Sequence, residues 1–183
     1  MLIPMERRHA DEVGRLHYLY VGSFLKDLGE SMCICFYRET LRSDINFGFV
    51  YVENLRVLAF TFGTMDNSKL FKNTRLRLEL LIALIKRPWL INRVFHRYKD
   101  QSPPSPERCY SATDLEVRGQ GVGKLMYLRM HDEFRRRGAF GYLLQIDSDN
   151  IISINANQNI VGAKVIRQFF DNGKKRYEFL VTT

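Results

Sequence analysis

The spacing of apolar and polar residues changes repeatedly along the chain, and each change marks an element. Leu2 to Met5 is a short apolar run that reads as a first strand. From His9 to Tyr20 the apolar positions Val13, Leu16 and Leu19 follow a helical period, and Asp11 and Glu12 place acids in the first turn, where the helix dipole favours them. A break at Val21-Gly22-Ser23-Phe24 precedes a second helix, Ser31 to Leu41, with Ile34, Tyr37 and Leu41 on one face. Phe47 to Glu53 and Arg56 to Thr64 are aromatic-rich runs around a turn containing Asn54, the pattern of a β-hairpin. Gly63, near the end of the second run, permits a bulge or the close approach of another backbone.

The second half is punctuated more sharply. Leu70 to Tyr98 is helical in period, with Leu76, Leu80 and Ile82 to Ile85 before Pro88 and Trp89, Leu90, Val94 and Phe95 after it. Proline restricts itself and the residue before it, so two helices or a kink near Arg87 are predicted. Gln101 to Pro106 holds three prolines and reads as an extended linker. Glu107 to Val117 follows as a strand, then Gly121 to Arg137 as a helix with Val122, Met126, Met130 and Phe134 in one stripe, ended by Gly138. Phe140 to Asp147 is a further strand and Asn150 to Val161 a short helix. Ala163 to Phe170 and Lys174 to Val181 flank Asp171-Asn172-Gly173, a strong hairpin signal. The order β-α-α-β-β, insert, β-α-β-α-β-β gives a mixed α/β domain.

Composition adds two constraints. With 183 residues and 45% hydrophobic content, the whole of 1–183 is one domain able to bury a real core. The net charge of +8 is unevenly placed: Lys69 to Lys99 carries nine basic residues and one acid, Glu79. The basic character therefore belongs to one helical insert, 69–99, and not to a general nucleic-acid-binding surface. One reading makes the insert an amphipathic cover for the sheet with solvated cations. A second uses the only tryptophan and the broad apolar content to lay it on an anionic membrane. A third makes it an arm for an anionic acceptor, such as a nucleotide-linked or lipid-linked sugar. Three cysteines read as reduced thiols, which suits the cytoplasm. Met1 to Met5 is too short for a secretory leader, and no segment reaches the ~18 apolar residues of a spanning helix.

The sharpest chemistry lies where the strand ending in Val117 meets the next helix. Gly119, Gly121 and Gly123 alternate with Gln120 and Val122, and Arg118 and Lys124 add charge at either end. Such a turn frees several backbone N–H groups at a helix N-terminus, a cradle for a phosphate or diphosphate. It is neither the dinucleotide fingerprint nor the nucleotide P-loop, because the glycines are spaced G-x-G-x-G and Lys124 is followed by Leu125.

What the residues resemble is the GNAT superfamily of acyl-CoA-dependent N-acyltransferases, whose diphosphate motif [RQ]-x-x-G-x-[GA] is filled by Arg118, Gly121 and Gly123. The strand at Ala112-Thr113-Asp114, the helix end at Arg135-Arg136-Arg137-Gly138 and the N-x-x-S pattern of Asn150 and Ser153 extend the resemblance over Glu107 to Val181. It implies a mostly antiparallel six- to seven-stranded sheet flanked by helices, with the basic helical insert between the third and fourth strands. It implies acetyl-CoA as co-substrate, no metal, and transfer to the primary amine of a small-molecule acceptor. The pantetheine arm would lie against Ala112, Thr113 and Leu115, the diphosphate on Arg118, Gly119, Gln120, Gly121, Val122, Gly123 and Lys124, with Asn150 and Ser153 nearby. An oxyanion donor is expected at a backbone N–H near Thr113, and Glu107 is the candidate general base.

The family's tyrosine acid, about four residues before the glycine of its last helix, is absent: counting back from Gly162 reaches Gln158, and the segment is one residue longer than usual. Phe24, Leu25 and Leu28 stand where the family walls its acceptor site, although packing is the commoner fate of such residues. The basic insert favours an amino sugar of an envelope precursor over a protein N-terminus. The alternative is a non-catalytic acyl-CoA-binding module, docked on a membrane or partner through 69–99. Residue patterns leave the oligomeric state open.

Overall fold

A computed structural model describes residues 1–91, 104–171 and 173–183. Seven strands form a single sheet in the order β1-β2-β3-β4-β5-β7-β6. They are β1 (Leu2–Pro4), β2 (Asn46–Glu53), β3 (Arg56–Thr64), β4 (Glu107–Thr113), β5 (Gly141–Asp147), β6 (Lys164–Asp171) and β7 (Lys174–Thr182). Every neighbouring pair is antiparallel except β4 and β5. The predicted mostly antiparallel sheet with an insert between β3 and β4 is what the chain forms. The β2/β3 turn is tight, with both Asn54 and Leu55 at positive φ, as a two-residue hairpin turn requires.

Helices cover both faces because alternate residues of the central strands are apolar on both. On one face lie α1 (Ala10–Tyr20), α2 (Phe24–Leu28), α3 (Glu30–Thr40) and α4 (Thr74–Lys86), packed on Val50, Phe60, Phe62 and Ala112. On the other, α5 (Val122–Arg136) packs through Val122, Met126, Met130 and Phe134 on Phe47, Phe49, Tyr142 and Leu144. Beside it α6 (Ile151–Val161) contributes Ile154 and Val161 to the same core.

Three readings shift. The break at Val21 to Phe24 runs into a short helix, α2, whose N-cap Ser23 accepts from the Lys26 N–H, and this buries Phe24, Leu25 and Leu28. Packing is thus their fate. The strand expected from Glu107 to Val117 ends at Thr113, because the Asp114 side chain accepts from the Glu116 N–H and winds Leu115–Val117 into a 3₁₀ turn. In the insert, α4 starts at an Asn73 cap and stops before Pro88, with Pro88–Leu90 a separate 3₁₀ turn. Arg93, Val94, Phe95, Arg97 and Lys99 of the predicted second helix, Gln101 to Pro103 of the linker and Asn172 of the last turn lie outside the described residues.

The insert is anchored at both ends by one side chain. Asn67 donates its Nδ2 to Glu107 Oε2 at 2.9 Å and accepts from the Ser105 N–H at 3.3 Å, while its own N–H donates to Ser105 at 3.1 Å. Between those ends, α4 buries Leu76 and Ala83 and turns a second apolar stripe outward. Leu78, Leu81, Ile85 and Trp89 are 56, 55, 71 and 70% exposed.

Candidate functional site

β4 and β5 part company almost as soon as they meet. Their parallel ladder consists of the Glu107↔Leu143 pair, sealed by the Leu143 N–H donating to Pro106 at 2.9 Å. β4 pairs with β3 along its whole length and β5 with β7 along its own, so only their facing edges diverge. The result is a gap closed at Glu107 and open at the C-terminal ends of both strands. A linear guest with amide groups can lie there as an added strand. The Asp114 N–H donates to Leu58 on β3, so by alternation Thr113 turns its N–H and C=O towards the gap and Ala112 turns its own to β3. Leu115 has left the strand and is 64% exposed. Of the three residues expected along the arm, Thr113 alone offers its backbone.

The glycine loop stands at the open mouth. Gly119 and Gly121 have φ of +78° and +80°, and Gly121 caps α5 in the left-handed conformation. Among the described residues, the first main-chain bond of α5 runs from Leu125 to Gly121, and the six N–H groups from Gly119 to Lys124 have no protein acceptor. A Cβ added at Gly119, Gly121 or Gly123 would meet open space. Six unpaired donors, the dipole of a 15-residue helix and the exposed Lys124 concentrate positive potential at this loop. Arg118 lies back on the strand, donating to the Thr113 carbonyl at 3.0 Å with its guanidinium 5.2 Å from the Tyr20 ring. Asn150 caps α6 by accepting from the Ser153 N–H, and Ser153 accepts from Asn157, so both are engaged in helix structure.

At the closed end the two faces of β4 differ. Phe62 pairs with Tyr110 and Gly63 with Arg108, leaving Cys109 as an extra residue. Gly63 is required here: a Cβ would lie 2.9 Å from the Glu107 carbonyl and closer still to Met130. The bulge breaks alternation. Tyr110 packs against Phe36 and the His17 ring on the α1–α3 face, whereas Arg108 sits under the Tyr127 ring of α5, 4.4 Å from its centre. Glu107 faces the other way, held by Asn67. Burial drives the neighbouring His17 imidazole down to about 3, helped by Lys26, and it sits neutral between the hydroxyls of Tyr37 and Ser23.

Arg108 and Asn157 escaped the sequence reading. Strict alternation would have put Arg108 beside Tyr110, and its signal, a lone cation inside a buried strand, is visible only once the bulge is known. Asn157 is wholly buried and accepts from Arg108, while Gln158 is exposed. Counting back four from Gly162 therefore stops one residue short of Asn157, the side chain that meets Arg108.

This overall fold is matched among solved structures. The fold is similar to an acetyltransferase of the GNAT family from Streptococcus pneumoniae, with TM-score 0.62, 12% identity and full coverage of both chains. The chain has the GNAT fold. The same GNAT architecture aligns with the ribosomal-protein-S18-alanine N-acetyltransferase of Escherichia coli at TM-score 0.64 and 11% identity, covering all of this chain and 92% of that one. It aligns with yncA, a putative acetyltransferase of Salmonella typhimurium solved with acetyl-CoA, at TM-score 0.66 and 14% identity, with coverage of 100% and 92%. No family model and no curated protein matches the sequence.

Proposed function

We propose that the protein is an acetyl-CoA-dependent N-acetyltransferase acting on a primary amine. The observation that carries this is the row of six unpaired N–H groups at the mouth of the β4/β5 gap. A diphosphate on those donors leaves a gap of strand width for the pantetheine arm, with its thioester directed at the closed end. Thr113 lies six residues from the Glu107↔Leu143 pair, about 20 Å along the strand, so it serves the arm. The oxyanion donor then belongs near the bulge, at Cys109 to Ser111. Acetyl-CoA supplies the activated acyl group; the chain holds donor and amine together, removes the ammonium proton and stabilises the tetrahedral oxyanion, the last usually the largest single contribution.

Glu107, on the α1–α3 face at the closed end, is the proposed base. On that face the β5/β7 part of the sheet is polar, with Gln145 bonded to Glu178 at 3.1 Å, and this is the side from which the acceptor enters. The basic insert suits a phosphorylated acceptor, which favours an amino sugar of an envelope precursor. Release of CoA thiol across amino sugars, nucleotide amino sugars, polyamines and peptides tests the activity. Acetyl-CoA binding with silence across that panel would leave the non-catalytic acyl-CoA module as the better reading.

The outward apolar stripe of α4 and the turn after it favours a second property, peripheral contact with an anionic membrane. Leu78, Leu81, Ile85 and Trp89 are flanked by Arg75, Arg77 and Lys86, and apolar area plus cations is what such surfaces bind. No helix among the described residues is long and apolar enough to cross a membrane. Co-sedimentation with anionic and with neutral vesicles decides it; no binding to either removes this contact.

A further inference from the structure

Arg108 is 6% exposed, one residue past the pair that closes the gap. Its Nη2 donates to Asn157 Oδ1, its guanidinium carbon lies over the Tyr127 ring at 4.4 Å from the centre, and its Nη1 is buried with no acceptor. Among the described residues no carboxylate pairs with it. A buried guanidinium without a counter-ion costs several kcal/mol, and a leucine would fill the same space without that cost.

None of its neighbours can supply the missing charge. Tyr127 faces it from α5, Tyr142 from β5, with the His131 ring packed beside Tyr142, and Asn157 from α6. Burial pushes the Tyr142 phenol up to about 12, against the pull of Arg108, and keeps His131 below the usual imidazole range, so both are neutral. Glu107 lies on the opposite face of the strand, bonded to Asn67. The bulge at Cys109 is what turns Arg108 to this face, and bulges beside active sites commonly re-aim a side chain.

We propose that Arg108 stabilises the thiolate of CoA as it departs, with Tyr127 and Asn157 positioning its guanidinium. This rests on the acetyl-CoA reading above. Glu107 and Arg108 then flank the thioester from opposite faces of β4, one serving the incoming amine and the other the leaving sulfur. The ammonium first loses a proton to Glu107. The neutral nitrogen forms the C–N bond to the thioester carbon, and collapse of the tetrahedral adduct breaks the C–S bond, leaving the electron pair on sulfur beside Arg108. The adduct's second nitrogen proton is passed through solvent to the thiolate, and the first is released from Glu107. Ammonium and thioester thus give amide, thiol and one proton. A cation in this place does the work for which α6 has no tyrosine.

The ionisation of CoA bound to the full-length chain tests this, read by the ultraviolet absorbance of the thiolate. In the unmodified protein the bound thiol should ionise at least tenfold more readily than free CoA. Arg108→Gln should return it to the free value and Arg108→Lys should keep part of the effect. Asn157→Ser, a milder change, should move it in the same direction as Arg108→Gln. Binding of desulfo-CoA, which has no thiol, should be equal in all four proteins and reports that each is folded. A bound thiol that titrates like free CoA in the unmodified protein overturns the proposal, as does an unchanged low value in Arg108→Gln or, if that variant does not fold, in Asn157→Ser. If the unmodified protein binds neither CoA nor desulfo-CoA, the acetyl-CoA reading itself fails and takes this inference with it.

Discussion

Replacing Gly123 by glutamate places a negative charge in the anion seat while leaving the fold alone. Its backbone is ordinary helix, and a side chain there meets open space. An acid in the first turn of α5 gains about 0.3–1 kcal/mol from the dipole, and leaving glycine behind gains a further ~0.5 kcal/mol of helix propensity. The free variant should therefore be as stable as the parent, or about 1 kcal/mol more stable. Against a bound diphosphate, a carboxylate about 5 Å from one phosphate charge costs about 3 kcal/mol at an effective dielectric of ~20, more than a hundredfold in affinity. At a ligand concentration of about 100 Kd, acetyl-CoA adds ~2.7 kcal/mol to the parent, a rise of roughly 5–10 °C in Tm for a chain of this size. The variant should retain under ~0.5 kcal/mol, a shift of about 1–2 °C. Thermal melts with and without acetyl-CoA measure both numbers. Gly121→Ala is the contrast: its φ of +80° makes any side chain strained, so it should lose about 1–2 kcal/mol before any ligand is added. A Gly123→Glu protein that keeps the full acetyl-CoA shift would refute the placement of the diphosphate.

Glu107→Gln should leave the acetyl-CoA shift intact and lower kcat by about 10²-fold or more, removing the acidic limb of the rate profile; an unchanged kcat would take the base role from Glu107. Acid should destabilise the fold in two stages. His17, lowered from 6.5 to about 3, contributes stability that is complete above pH 6.5 and drains away as the pH falls to 3. Glu133, which Arg136 and Arg137 hold down at about 2, loses its contribution between pH 4.5 and 2, worth about 1 kcal/mol once the screening of exposed Arg136 is allowed for. Urea midpoints of His17→Phe and Glu133→Gln against pH should each lack the corresponding stage. Ile85→Glu with Trp89→Glu should reduce anionic-vesicle binding at least tenfold without moving Tm, since both side chains are exposed; equal binding would clear α4 of that role.

The hairpin of β2 and β3, the helix α5 and the glycine turn before it were legible because each rests on local rules: a turn residue, a period, a glycine spacing. What could not be read depended on partners far along the chain. Ser23 is a good N-cap, but the five-residue α2 has too few residues to show a period. Residues Leu115–Val117 look like continuing strand until the Asp114 side chain captures the Glu116 N–H. The face of Arg108 is set by a register shift between β3 and β4, and only pairing reveals it. The glycine turn and helix start were therefore readable from residues alone, whereas the closed end of the gap required the sheet.

Asn67 ties the two ends of the insert to each other. Since its backbone and side chain hold Ser105 and Glu107 together, the residues between are a closed excursion from a hairpin whose ends already touch. Cutting such an excursion from roughly forty residues to about four would save on the order of 2 kcal/mol of loop-closure entropy. The insert is in this sense a cassette: a sister chain could carry a short turn in its place and keep the same sheet and glycine turn, and the segment could be exchanged for another with its splice points at Asn67 and Ser105. Asn67→Ala should loosen both the cassette and the carboxylate of Glu107, so a single side chain couples whatever the insert touches to the closed end of the gap.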